Sequence, residues 1–92
     1  MSKKVINKLV ETHKDLTHSE NLKVSSHVQR EHDEWFINTI MIEGFTVPFK
    51  YKRKKVYQTL AGNRVNLTYY PSSENIAGME IEVMNVVRIK VA

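Results

Sequence analysis

The densest concentration of chemically useful side chains lies in one short run, Lys50-Tyr51-Lys52-Arg53-Lys54-Lys55, where five of six residues are cationic. Tyr57, Arg64, Tyr69 and Tyr70 follow within twenty positions. Proteins that hold single-stranded nucleic acid need cations spaced along the phosphates and aromatic faces on which bases stack. Lys50, Lys52, Arg53, Lys54, Lys55 and Arg64 are therefore candidate contacts for a polyanion, with Tyr57 or Tyr70 as candidate stacking platforms. In an extended strand Lys50, Lys52 and Lys54 share one face while Tyr51 and Arg53 share the other. That alternation also puts Tyr51 in phase with Phe45, Val47 and Phe49, which assigns it to the core. The competing reading is that these lysines protect an exposed strand edge against aggregation.

The other chemistry-bearing residues form no constellation. His13 and His18 are five apart, as are His27 and His32, whereas a helical metal pair needs three or four so that both rings share a face. His32-Asp33-Glu34 concentrates possible ligands in a polar stretch and reads as solvated charge. Glu80 and Glu82 fall on the outward phase of the last strand, opposite its apolar residues, so a desolvated acid–base pair is not expected there. There is no phosphate-binding glycine loop, nucleophile elbow or metalloprotease helix motif. Neither catalytic activity, a metal nor a cofactor is expected.

Ninety-two residues correspond to one domain with a modest core. The absence of cysteine rules out disulfides and thiolate metal sites, and fits a reducing cytoplasm. The start Met1-Ser2-Lys3-Lys4 leads into a polar helix pattern, and the apolar runs are too short for a membrane span. The net charge of +4 is unevenly placed. Residues 1–34 carry six basic and six acidic side chains, while residues 35–92 carry eight and four. The excess sits where the candidate contacts are, and would attract phosphates in a salt-dependent way.

These residues need elements to position them. Val5, Ile6, Leu9, Val10, His13 and Leu16 recur at three- and four-residue spacing and predict a helix over residues 3–16. Residues 17–34 read as a polar connection with a short strand at 22–28. The β-rich part spans residues 35–91. Trp35–Ile42 is apolar on both faces, as in a strand covered on both sides. Glu43-Gly44 marks a turn, and Phe45 to Lys52 alternates cleanly, with Pro48 marking an edge or a bulge. Residues 54–60 lose that phase and suggest one helical turn, Arg64–Tyr70 alternates again, and Pro71–Asn75 has loop chemistry. Met79–Val91 is a final strand expected to bend near Asn85. The sum is an α+β, mainly β domain. The expected architecture is an N-terminal helix on a small, strongly bent antiparallel sheet, or a partly open barrel of four to five strands.

Leu60-Ala61-Gly62-Asn63-Arg64-Val65 resembles the Leu-x-Gly-x-x-Val strand opening common in oligonucleotide/oligosaccharide-binding (OB) barrels. The segment Glu31–Arg88 also resembles a group of short, uncharacterised bacterial β-rich proteins, through Trp35–Thr39, Val47–Lys55 and Val65–Pro71. That resemblance implies a self-contained bacterial domain and no particular activity. An alternative to polyanion binding is protein interaction or homodimerisation. The strand around Pro48, or Trp35 and Phe36, would then accept a partner chain by strand addition.

Overall fold

A computed structural model describes residues 16–92. The helix expected over residues 3–16 lies, apart from Leu16, outside the described residues, and Leu16 itself is irregular. Five strands make up most of the described part: β1 (Thr17–His32), β2 (Trp35–Ile42), β3 (Phe49–Arg53), β4 (Arg64–Ile76) and β5 (Met79–Val91). They close into a barrel in the order β1-β2-β3-β5-β4. Four of the neighbouring pairs are antiparallel. The fifth, β3 with β5, is parallel.

β1 closes the ring because it serves two partners. Its first part pairs with β4 through Thr17↔Tyr69 to Lys23↔Arg64. Its second part pairs with β2, from Val24↔Ile42 to His32↔Trp35. Register shifts between Ser19 and Leu22 and between Val24 and Ser26 supply the bends. Each is a place where an extra residue sharpens the local twist. β4 and β5 likewise exceed the barrel. Tyr70–Ile76 pairs only with Asn85–Met79, so the two strands project together as an arm.

The arm turns at Ala77-Gly78, both at positive φ (53° and 82°), the two-residue geometry that matches strand twist. Gly78 N–H donates to Asn75 Oδ1 (3.2 Å) across that turn.

The core follows from alternation. Val24, Ile40, Ile42, Phe49, Tyr51, Val65, Leu67 and Tyr69 form one buried cluster, with Phe45, Leu60, Met84, Val86 and Ile89 packed around it. Phe49 meets Phe45 and Tyr69 edge-on, with centroids 5.2 and 4.9 Å away. This T-shaped arrangement sets positive ring edges against negative faces.

Several sequence-based boundaries need correction. Residues 17–32 are one long strand rather than a connection, because its polar residues line the outer face of a curved ladder. Pro71–Asn75 continues β4 instead of looping: the arm is paired on one side only, so it tolerates a residue without an N–H. Residues 54–60 contain no helical turn and run as bends and coil. β3 begins after Pro48, so Phe45 and Val47 precede the strand. β2, the Glu43-Gly44 turn and the limits of β5 agree with expectation, and β5 shifts register opposite Thr68 and Tyr69. No helix among the described residues is long and apolar enough to cross a membrane.

Candidate functional site

The projecting arm creates a cleft. On one side stand the outward residues of β1 and β2, Val28 and Arg30 opposite Thr39 and Ile37. On the other stand Glu74, Ile76, Ile81 and Val83 of the arm, with Lys50 and Pro48 between. The recess measures about 600 Å³. Its walls are mainly aliphatic, and Val83 is buried there outside the main core. Across the floor Lys50 Nζ donates to Glu74 Oε1 at 2.7 Å. Lys50 is half-buried and already neutralised, so it offers little to an incoming phosphate.

The basic run divides as strand alternation requires. Lys50 and Lys52 face out of β3, and Phe49 and Tyr51 face in. Lys52 and Lys54 reach over the partly exposed indole of Trp35, with Nζ atoms 6.0 and 4.3 Å from its ring centroid. Lys54 also lies 4.0 Å from Glu34, between two highly exposed side chains. Arg53 turns the other way and lies over Tyr51, 4.9 Å from its centroid. Burial pushes the Tyr51 phenol above its ordinary pKa, and the Arg53 charge offsets part of that rise. Lys55 is exposed.

The other candidate residues are dispersed. Tyr57 is exposed, and its backbone is held on both sides by Gln29: Nε2 donates to Tyr57 O (2.7 Å) and Tyr57 N–H donates to Oε1 (3.2 Å). Tyr70 is half-buried, and its hydroxyl accepts from Asn85 Nδ2 at 3.2 Å. Arg64 donates to the Asn21 carbonyl at 3.0 Å, at the far end of β4. Six residues of strand, about 20 Å, separate it from Tyr70. Lys50, Lys52 and Lys54 thus lie at or beside one face, while Arg53, Tyr57 and Arg64 do not join them.

A polar network sits behind that face. His27 Nδ1 accepts from the Leu60 N–H (2.9 Å), so the ring proton is on Nε2, which donates to Asn38 Oδ1 (2.8 Å). Asn38 is buried inside the barrel and spends an amide proton on Phe36 O (3.2 Å). This network ties the β3–β4 connection to the barrel wall. Among the described residues no three His, Asp or Glu side chains gather as a metal site.

Comparison with known proteins adds no relative. No family model, curated protein or solved structure matches the chain.

Sequence reasoning treated Trp35 as an interaction residue and did not connect it with the lysines, because the β1–β2 turn that places it lay in an unreadable stretch. It also missed the cleft wall. The signal was present: Glu74, Ile76, Ile81 and Val83 alternate symmetrically about Ala77-Gly78, as the same face of a hairpin does.

Proposed function

We propose that this domain is a barrel of the OB kind that holds single-stranded nucleic acid across the outer face of β2 and β3. The five-stranded closed order, with β5 inserted between β3 and β4, supports the class. Ligands of such barrels cross strands 2 and 3 between the loops joining β1 to β2 and β4 to β5. Here those loops flank the cleft. The observation that carries the reading is Trp35, in the same outward phase of β2 as the cleft-lining Ile37, with the ammonium groups of Lys52 and Lys54 over its partly exposed indole. A base stacking on that indole would take the place of the Lys54 ammonium over the ring and bring its phosphates to Lys52 and Lys54, displacing the weak contact with Glu34. Arg30, which lines the cleft, adds a further positive charge. A cysteine-free cytoplasmic protein fits this role.

Trp35 is the chain's one tryptophan, so its fluorescence reports directly on the site. Titration with a twelve-nucleotide oligothymidine is expected to quench it, with affinity falling steeply as salt rises. Trp35→Ala, read by anisotropy of a labelled oligonucleotide, should lose about 1–3 kcal/mol of binding. Lys52→Gln with Lys54→Gln should flatten the salt dependence. Binding indifferent to all three changes would overturn the proposal. Heparin binding without any change at Trp35 would replace it with simple polyanion attraction.

A further inference from the structure

The barrel is closed by hydrogen bonds all round, most sparsely along one seam. β3 and β5 share only Phe49↔Met84 and Lys50↔Asn85 before diverging. Their gap is a slot of about 200 Å³, lined by Tyr51 and Arg53 of β3, Tyr57 and Leu60 of the β3–β4 connection and Ile89–Val91 of β5.

Register determines which backbone groups face that slot. Ala92 N–H donates to the Arg64 carbonyl at 2.9 Å, in a ladder that pairs Val65 with Val91 and Leu67 with Ile89. Bonded and non-bonded pairs alternate along an antiparallel ladder. Arg64–Ala92 and Asn66–Lys90 are therefore bonded pairs, and the N–H and C=O groups of Ile89 and Val91 point away from β4 toward the slot. Among the described residues no backbone ladder meets them. The facing edge is better satisfied. Met84 N–H donates to Pro48 O (2.9 Å), so Lys50 and Lys52, in the same phase, direct their backbones at β5. The Lys52 carbonyl there accepts from Arg53 Nη1 at 2.9 Å. The open edge belongs to β5.

Its surroundings are positive. Among the described residues no Asp or Glu lines the slot, and Arg53 does. Arg88 and Lys90 occupy the outward phase of the same strand, beside His18 and Glu20, which bond each other at 3.2 Å. Val87 and Val91 are exposed along it.

We propose that the β5 edge from Val87 to Val91 docks an extended, acidic peptide by strand addition. Backbone pairing to Ile89 and Val91 would supply the ladder, and peptide carboxylates would meet Arg53, Arg88 and Lys90. A second copy of this chain fits less well, because antiparallel pairing about Ile89 sets Arg88 opposite the other copy's Lys90, like charges facing across strands. Nucleic acid has no peptide backbone with which to continue the sheet. This edge is separate from the Trp35 face, so either proposal can fail without the other.

Amide hydrogen exchange of the full chain, followed by NMR, tests it. In the free protein Ile89 and Val91 amides should exchange fast and Lys90 slowly. A capped Thr-Glu-Val-Glu-Val-Asp peptide should slow Ile89 and Val91 by at least about tenfold. Its Gln/Asn counterpart should protect far less. Val91→Pro removes an N–H that the β4 ladder does not use, so the rest of the spectrum should persist while peptide protection disappears. Arg88→Gln with Lys90→Gln should weaken binding several-fold. Slow exchange at Ile89 and Val91 without peptide overturns the proposal. If independent of concentration, it means the chain covers its own edge; if it grows with concentration, a second copy does. Absence of protection at millimolar peptide, or equal protection by the neutral peptide, also overturns it.

Discussion

The cleft and the slot are both bordered by β3, from opposite sides of the barrel wall, and their electrostatics differ. In the cleft two of the cations have a carboxylate at hand: Glu74 for Lys50, Glu34 for Lys54. In the slot Arg53 has an aromatic ring and a backbone carbonyl, and no acid among the described residues lines the space. One run of basic residues therefore supplies two unlike environments. Proximity in sequence says little about proximity in space when side chains alternate across a sheet. Charge available for binding is what remains after internal pairing.

The largest expected effect is one that both recesses share. Phe49→Ala removes the fully buried ring between Phe45 and Tyr69, and should cost about 3–5 kcal/mol in urea unfolding. Slot and cleft should be lost together, since the strand between them loses its anchor.

A smaller change separates them. Asn38→Ala leaves the His27 Nε2–H without its acceptor and should cost about 1–3 kcal/mol. The slot's wall should loosen, seen as faster exchange of the Leu60 amide, while Trp35 fluorescence stays as it was.

Glu74→Gln sharpens the contrast from the other side. The Lys50–Glu74 pair is partly exposed, so stability should change by under about 1 kcal/mol. The freed ammonium should nonetheless tighten oligonucleotide binding and steepen its salt dependence. Unchanged affinity would mean that ligand does not reach the cleft floor.

The smallest effect at neutral pH concerns Tyr51. Its phenol is raised in the folded state, so the unfolded chain gives up its proton first as pH rises. The resulting stability contribution is fully present below about pH 10 and is lost as pH climbs through the raised value. Tyr51→Phe should leave stability at pH 7 almost unchanged and reduce the alkaline loss, measured by urea unfolding between pH 8 and 11.

Much of the barrel was legible one strand at a time. Trp35–Ile42 and Met79–Val91 read correctly because apolar residues mark their phases, and Tyr51 was assigned inward on the same ground. β1 was legible only in part: a strand was read at 22–28, while Thr17, Ser19 and Asn21 look like loop in sequence. Their strand conformation is stabilised by ladders to β4 and β2 from far along the chain. The continuation of β4 through Pro71 was hidden similarly, because local turn propensity argued against a pairing that β5 imposes.

For the candidate site, composition and alternation by themselves determined that this is a mainly β chain, that its positive excess follows residue 34, and that Lys50 and Lys52 face away from Tyr51. Those properties depend on residue type and on the two-residue period of a strand, both local. Only tertiary structure decided that Glu74 neutralises Lys50, that Trp35 stands beside Lys52 and Lys54, and that no described strand pairs with the outer edge of β5 at Ile89 and Val91. Each depends on strands separated by tens of residues meeting in one register, and no local propensity encodes which distant strand that will be.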